Sequence, residues 1–346
     1  MDLKKLIFYL PLFFLAISPQ AVLAADEGQP WTFTFYFEND LFSDTDQNYT
    51  NSTKLSWVSP DLTGYAESEE LPDWSLKYIR WLPFINEPGL QRNIAISIGQ
   101  NMYTPEDISE EELIVDDRPY AGWTYFGIAF HSKNERRLDS MEIQLGIVGP
   151  ESFAEETQKL VHELRNVQRP NGWDNQLDNE PGLAMIYERK LRVIEGRAAN
   201  GMGFDGIAHL GATIGNVYTY ANTGCEVRGG WNIPTDFGTA LIRPAGDTNA
   251  PVNARDPRLS KSRKFSIHAF LGVSGRFVLR DIFLDGNTFS ESHSIDKENF
   301  VADVSAGISL IVYRFKLSYT QVIRSREYKD QDDNHSFGSI ALSFSY

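Results

Sequence analysis

The sequence predicts an all-β protein, an antiparallel transmembrane β-barrel of about twelve strands with one short helix in an extracellular loop. Three observations carry this. Segment after segment alternates apolar with small or polar residues at period two, giving each strand one face for lipid and one for a polar interior. No run of helix is available to cover either face, and a closed barrel is the way such strands satisfy their backbones in lipid. Aromatic residues are 13% of the chain and gather near strand ends, at Trp31, Trp57, Trp81, Trp123, Tyr125, Tyr313 and Tyr346, as interfacial girdles do. A soluble β-sandwich is the competing architecture.

Taken in order, the chain opens with a short basic region and an apolar run over residues 6–18, followed by Ala21-Val22-Leu23-Ala24. This reads as a secretory signal peptide cleaved after Ala24, leaving residues 25–346 as one barrel domain. The apolar run is too short to span a bilayer as a helix, and no later one is longer. Without the first 24 residues, 30 basic side chains face 46 acidic ones, a net charge near −16, so nucleic acid is a poor partner. The single cysteine, Cys225, excludes an internal disulfide framework and reads as an incidental thiol in a loop.

In residues 31–38, Trp31, Phe33, Phe35 and Phe37 oppose Thr32, Thr34, Tyr36 and Glu38. The same alternation sets Met141, Ile143, Leu145 and Ile147 against Glu142, Gln144 and Gly146, and Ile340, Leu342, Phe344 and Tyr346 against Ser339, Ser343 and Ser345. Strands are expected near 31–39, 50–59, 91–101, 121–132, 138–149, 181–196, 204–219, 263–274, 276–285, 299–313, 315–327 and 335–346. With both termini periplasmic, the connections near 40–49, 102–120, 150–180, 220–262, 286–298 and 328–334 face the cell exterior. The remaining ones are short, as periplasmic turns should be, except 60–90.

The helix falls over residues 151–165. Ser152 and Glu155 have the spacing of a capping box. Phe153, Leu160 and Leu164 form an apolar stripe, and Gln158 and His162, at i and i+4, point away from it. His162 is a candidate general base. No Gly-x-Ser-x-Gly elbow occurs, and Gly272-Val273-Ser274-Gly275 is expected in a periplasmic turn, so the base would act on water and not on a serine. Glu38-Asn39-Asp40 and the acidic turn after it offer the closely spaced oxygens that Ca²⁺ prefers. An ion at Asp40 would polarise an ester carbonyl.

At these residues the sequence resembles the lipid A 3′-O-deacylase family, the LpxR-like outer-membrane proteins. The resemblance rests on Phe37-Glu38-Asn39-Asp40, Tyr49-Thr50-Asn51, Asp117-Arg118-Pro119-Tyr120-Ala121-Gly122-Trp123, Gly146-Ile147-Val148-Gly149-Pro150, Gln158 with His162, and Gly172-Trp173-Asp174-Asn175-Gln176-Leu177. It implies a twelve-stranded barrel in the bacterial outer membrane and a Ca²⁺-dependent ester hydrolase that releases the 3′-linked acyloxyacyl group from lipid A of the outer leaflet. It places catalysis at Asn39, Asp40, Gln158 and His162, with Asn39 and Asp40 also at the metal. The family's threonine, basic residue and glutamate fall to Thr50 or Thr53, to Lys54 or Arg118, and to Glu180, the last as a metal ligand. Arg118 is also a candidate clamp for a lipid A phosphate. A monomer is expected. The alternatives are a non-enzymatic barrel, either pore or surface binder, and a phospholipase on the same fold.

Overall fold

The computed structural model describes residues 30–40, 48–62, 87–166, 168–238, 241–243, 245–260, 262 and 264–346. The expected signal peptide and most of the acidic turn after Asp40 lie outside them. Twelve antiparallel strands form a closed barrel: β1 (Thr32–Asn39), β2 (Asn48–Val58), β3 (Gln91–Thr104), β4 (Ala121–Lys133), β5 (Arg137–Val148), β6 (Glu180–Arg197), β7 (Met202–Gly215), β8 (Tyr218–Trp231), β9 (Phe265–Asp281), β10 (Phe300–Val312), β11 (Phe315–Arg324) and β12 (His335–Ser345). Each pairs with its sequence neighbours, and β12 closes on β1 with Thr32 opposite Ser345. On the inner face of that seam the Thr32 and Ser345 hydroxyls lie 3.1 Å apart and those of Thr34 and Ser343 2.9 Å.

Parity settles the two faces. Ile98, Leu145, Leu210, Leu271, Ile308 and Leu317 are exposed on the outside, whereas Thr32, Ser97, Gln144, Ser266 and Ser343 are buried in the lumen. The described residues contain no helix long and apolar enough to cross a membrane. The strands do that instead. The short turns at 134–136, 198–201 and 313–314 share one end with both termini and mark it as periplasmic. Aromatic pairs ring that end: Phe33 with Trp57, Trp231 with Phe265, and Phe344 between Phe315 and Tyr346.

Two departures from the expected strands offset each other in the count. Residues 276–285 are not a separate strand, because β9 runs unbroken through Gly275, which lies under the Phe300 ring where a side chain would crowd. Ser274 is therefore in a strand, not a turn. Conversely, β8 was hidden in a presumed loop. Its outward residues are Ala221, Thr223, Cys225, Val227, Gly229 and Trp231, too small and mixed to show an apolar alternation, and Cys225 is exposed on that wall. The consequence is a change of side. The connection 232–264 belongs to the periplasmic end, not the exterior, and much of it is buried inside the barrel.

The helix forms as α1 (Ala154–Arg165), but its start and its faces differ from expectation. Pro150–Ser152 make a 3-10 turn and Phe153 takes the N-cap in the left-handed region, so no side chain caps the helix and the Ser152–Glu155 box does not form. Glu155 instead pairs with Lys159 one turn on. Ala154, Gln158 and His162 are buried against the barrel, while Phe153 and Leu164 point outward, exposed by 49% and 66%. For a helix on the outer wall of a membrane barrel, the apolar stripe belongs on the lipid side.

Candidate active site on the outer wall

The wall beneath α1 is built by register. Asn39 pairs with Asn51, Asn51 with Met102, and Met102 with Gly122, so β1 to β4 bring these four into one lateral row. All four take the outward parity of Phe37, Ile98 and Phe126. One step below, Thr53, Gln100 and Thr124 form a second outward row. Polar residues on a lipid-facing wall are costly unless something covers them, and over β3 and β4 the entry to α1 does so at Gln100 and Thr124.

Gly122 is where the helix lands. A Cβ there would stand 2.3 Å from the Ala154 Cβ and 2.0 Å from the Ser152 Oγ. The entry to α1 is pinned beside it, the Ser152 carbonyl accepting from Gln100 Nε2 and Thr124 Oγ1, each at 2.7 Å. Met102, Ile108, Tyr120, Ala154 and Trp173 form the apolar packing between helix, wall and loops.

His162 is buried, and its Nδ1 lies 2.5 Å from the Gln168 carbonyl. A carbonyl only accepts, so Nδ1 carries the proton, and the tautomer this bond favours, with the lone pair on Nε2, is the one a general base needs. One turn earlier, Gln158 Oε1 accepts from Trp173 Nε1 at 2.7 Å. That bond fixes the amide orientation and turns Nε2 away, and this buried donor meets no partner among the described residues. Asn39, in the lateral row that runs to Gly122, and Asp40, just beyond the exterior end of β1, are both buried. Trp173 and the Gln168 carbonyl are supports that no residue pattern pointed to, beyond the position of Trp173 in the Gly172–Leu177 segment.

Other expected site residues are placed elsewhere. Lys54 has the inward parity of Tyr36 and bonds Asp247 at 2.9 Å, which makes it a lumen residue and not a substrate contact. Arg118 is fully buried in the exterior cap. It reaches Glu327 at 3.4 Å and lies over the Tyr103 ring, with its centre 5.1 Å away, which leaves no room to clamp a phosphate. Burial alone would lower its basicity, but Glu327, Tyr328, Asp281 and Tyr103 together outweigh burial and raise it. Beside it Asp117 accepts from Tyr328 Oη and the Glu106 N–H, each at 2.6 Å, so this motif braces its own connection and ties it to the one between β11 and β12. Glu180 is on β6, five places from β1 in a ring of twelve and nearly opposite it. Its oxygens accept from Asn216, Asn287 and Thr288, so it anchors exterior loops and cannot share an ion with Asp40. Thr50 falls at a bulge in β2, and its side chain is outside the described set.

No three His, Cys, Asp or Glu side chains among the described residues gather to hold a metal. Asp40 and Asn39 still offer a carboxylate and an amide oxygen side by side, the hard donor types that suit Ca²⁺. Their chemistry fits such an ion, with carbonyl, amide or water oxygens completing its shell.

A family model described as outer membrane protein LpxR matches residues 8–346. The chain belongs to this family. No curated protein matches it. Among solved structures it is similar to LpxR from Salmonella typhimurium, with a TM-score of 0.72, 16% identity, and coverage of 91% of this chain and 100% of that one. At that identity the likeness shows a shared fold. The β domain of the Bordetella autotransporter BrkA aligns over 93% of this chain and 100% of its own at 10% identity, with a TM-score of only 0.40.

Proposed function

We propose that the protein is a lipid A 3′-O-deacylase of the outer membrane, hydrolysing the 3′-linked acyloxyacyl ester with His162 as the base for water. The observation that carries this is the pairing of a His162 ring whose Nδ1 is held by the Gln168 carbonyl with an unfilled Gln158 donor one turn away, on the helix face buried against the lipid-facing wall. A site there meets a substrate that lies in the outer leaflet. Membership of the LpxR family supports the same reading.

In this mechanism His162 Nε2 takes a proton from water as the water oxygen bonds the ester carbonyl carbon. The carbonyl oxygen gains the negative charge, and Gln158 Nε2–H donates to it, a contact that strengthens as charge develops. On collapse the bond to the sugar oxygen breaks and the imidazolium returns its proton to that oxygen, giving free acid and alcohol. Asp40 and Asn39 would hold the calcium ion, which when bound supplies Lewis-acid polarisation of the ester. One copy of the chain contains all the groups named, so a monomer suffices.

The test is hydrolysis of purified lipid A in detergent micelles. Folded His162→Ala and Asp40→Ala barrels are expected to lose at least a hundredfold in rate, and EDTA to silence the wild type until calcium is restored. A wild type insensitive to EDTA would remove the metal from the mechanism, and an active His162→Ala would remove the base.

A further inference from the structure

The connection between β8 and β9 enters the lumen from the periplasmic end and climbs nearly its full height. Low in the barrel, Arg192 on β6 donates to the Thr235 and Asp236 carbonyls, Lys133 on β4 to Pro251 and Gln91 on β3 to Val252. Asp236 binds Arg228 on β8, Arg258 and Lys316 on β11, at 2.5, 2.9 and 2.7 Å. Higher up, Asp247 meets Lys54 on β2, and the Ala245 N–H donates to Glu142 on β5 at 2.7 Å. At the summit the Ile242 N–H donates to Glu38 Oε1 at 2.7 Å, while its side chain packs against Tyr36 and Ala341 on the inner face of β1 and β12.

Glu38 immediately precedes Asn39 and Asp40. Its carboxylate faces the lumen and Asn39 faces the opposite side of the same wall. We propose that Glu38 is a positioning residue, gripped from inside by the plug at Ile242, and that this bond holds the end of β1 so that Asn39, on the outer face, and Asp40, the next residue, keep their geometry. The site part of this rests on the proposed function; the grip itself does not. A strand end is prone to local opening, and a buried bond to a fixed segment suppresses it. Partners one step behind metal-site residues are typically worth about 10- to 100-fold in affinity or activity.

The experiment uses the full chain refolded in detergent, with three variants. Glu38→Gln keeps an oxygen that accepts the Ile242 N–H; Glu38→Ala removes the acceptor, and Ile242→Pro removes the donor. Hydrogen exchange of the Asn39 and Asp40 amides should quicken about tenfold in Glu38→Ala and Ile242→Pro and stay within about threefold of wild type in Glu38→Gln. Terbium, as a calcium probe, should bind about tenfold more weakly to the first two, and kcat should fall by a similar factor with KM nearly unchanged. Unchanged exchange in Glu38→Ala or Ile242→Pro overturns the grip, and a Glu38→Gln as impaired as Glu38→Ala shows that charge, not the bond, matters and overturns it too. Faster exchange in barrels whose wild type neither binds terbium nor cleaves lipid A supports the grip and instead removes the proposed function.

Discussion

Replacing Gly122 by alanine tests whether catalysis depends on how closely α1 sits on the wall. The added Cβ would stand 2.3 Å from Ala154 Cβ, about 1.1 Å closer than the 3.4 Å at which ordinary contact begins. Ser152 Oγ can swing away by changing rotamer, but the Ala154 methyl has no rotamer to change. Gly122 is fixed in the β3–β4–β5 sheet, so the helix must lift by about 1 Å, carrying Gln158 and His162 with it. Asn39, on β1, and Asp40, just beyond it, stay behind. A displacement of that size costs about 100-fold in a reaction that depends on near-attack geometry. The assay is the rate of acyl release from lipid A in micelles, with heat-modifiable gel migration reporting the intact barrel. Adding Ala154→Gly removes the clashing methyl and should recover much of the rate. A folded Gly122→Ala retaining more than a third of wild-type activity would refute the reasoning, as would a double variant no better than the single.

Trp173→Phe removes the donor that orients Gln158 and, at about 0.5–1.5 kcal/mol for such a bond, should lower kcat between about 2- and 13-fold while KM holds. Glu180→Gln should leave kcat and calcium dependence unchanged and speed proteolysis of the exterior loops, since its partners are Asn216, Asn287 and Thr288; a shifted calcium requirement would return it to the metal site. Lys54→Met strands the buried Asp247 carboxylate and should cost about 3–5 kcal/mol in urea unfolding, most of it recovered in Lys54→Met/Asp247→Leu. For Glu327, burial pushes the carboxyl up, but the guanidiniums of Arg324, Arg118 and Arg276 outweigh it and hold it below the usual carboxylate value. Its contribution to stability is therefore present above the unfolded value near about 4.3 and lost as pH falls through the lower folded one. Exchange of the loop amides around Arg118 should rise over that acid range, and Glu327→Gln should flatten the response.

The barrel was legible because lipid and lumen impose opposite demands on alternate residues, as along β1, β5 and β12. The prediction failed where that contrast fades. In β8, Ala221, Thr223 and Gly229 serve the outer wall without an apolar signature, and in β9 Gly275 imitates a turn while serving as a recess for Phe300. The connection after β8 was thus put on the wrong side, although its charges, Asp236, Asp247 and Arg258, are of the kind a lumen can pair. The placement of Gln158 and His162 together on one helix face followed from spacing alone. Their burial did not, because in water the apolar stripe would pack inward, and only the lipid outside reverses it. Lys54 and Asn39 show the same lesson at one-residue scale: both are polar and near the β1–β2 end, and parity alone sends one to the lumen and the other to the wall.

The central claim is tested most directly by mass spectrometry of lipid A and phospholipid from cells expressing wild type or His162→Ala with calcium present. The account predicts that wild type removes the mass of the 3′ acyloxyacyl group from lipid A and spares phospholipid, and that His162→Ala leaves both lipids intact. Intact lipid A from wild-type cells, or acyl loss from phospholipid in its place, would contradict it.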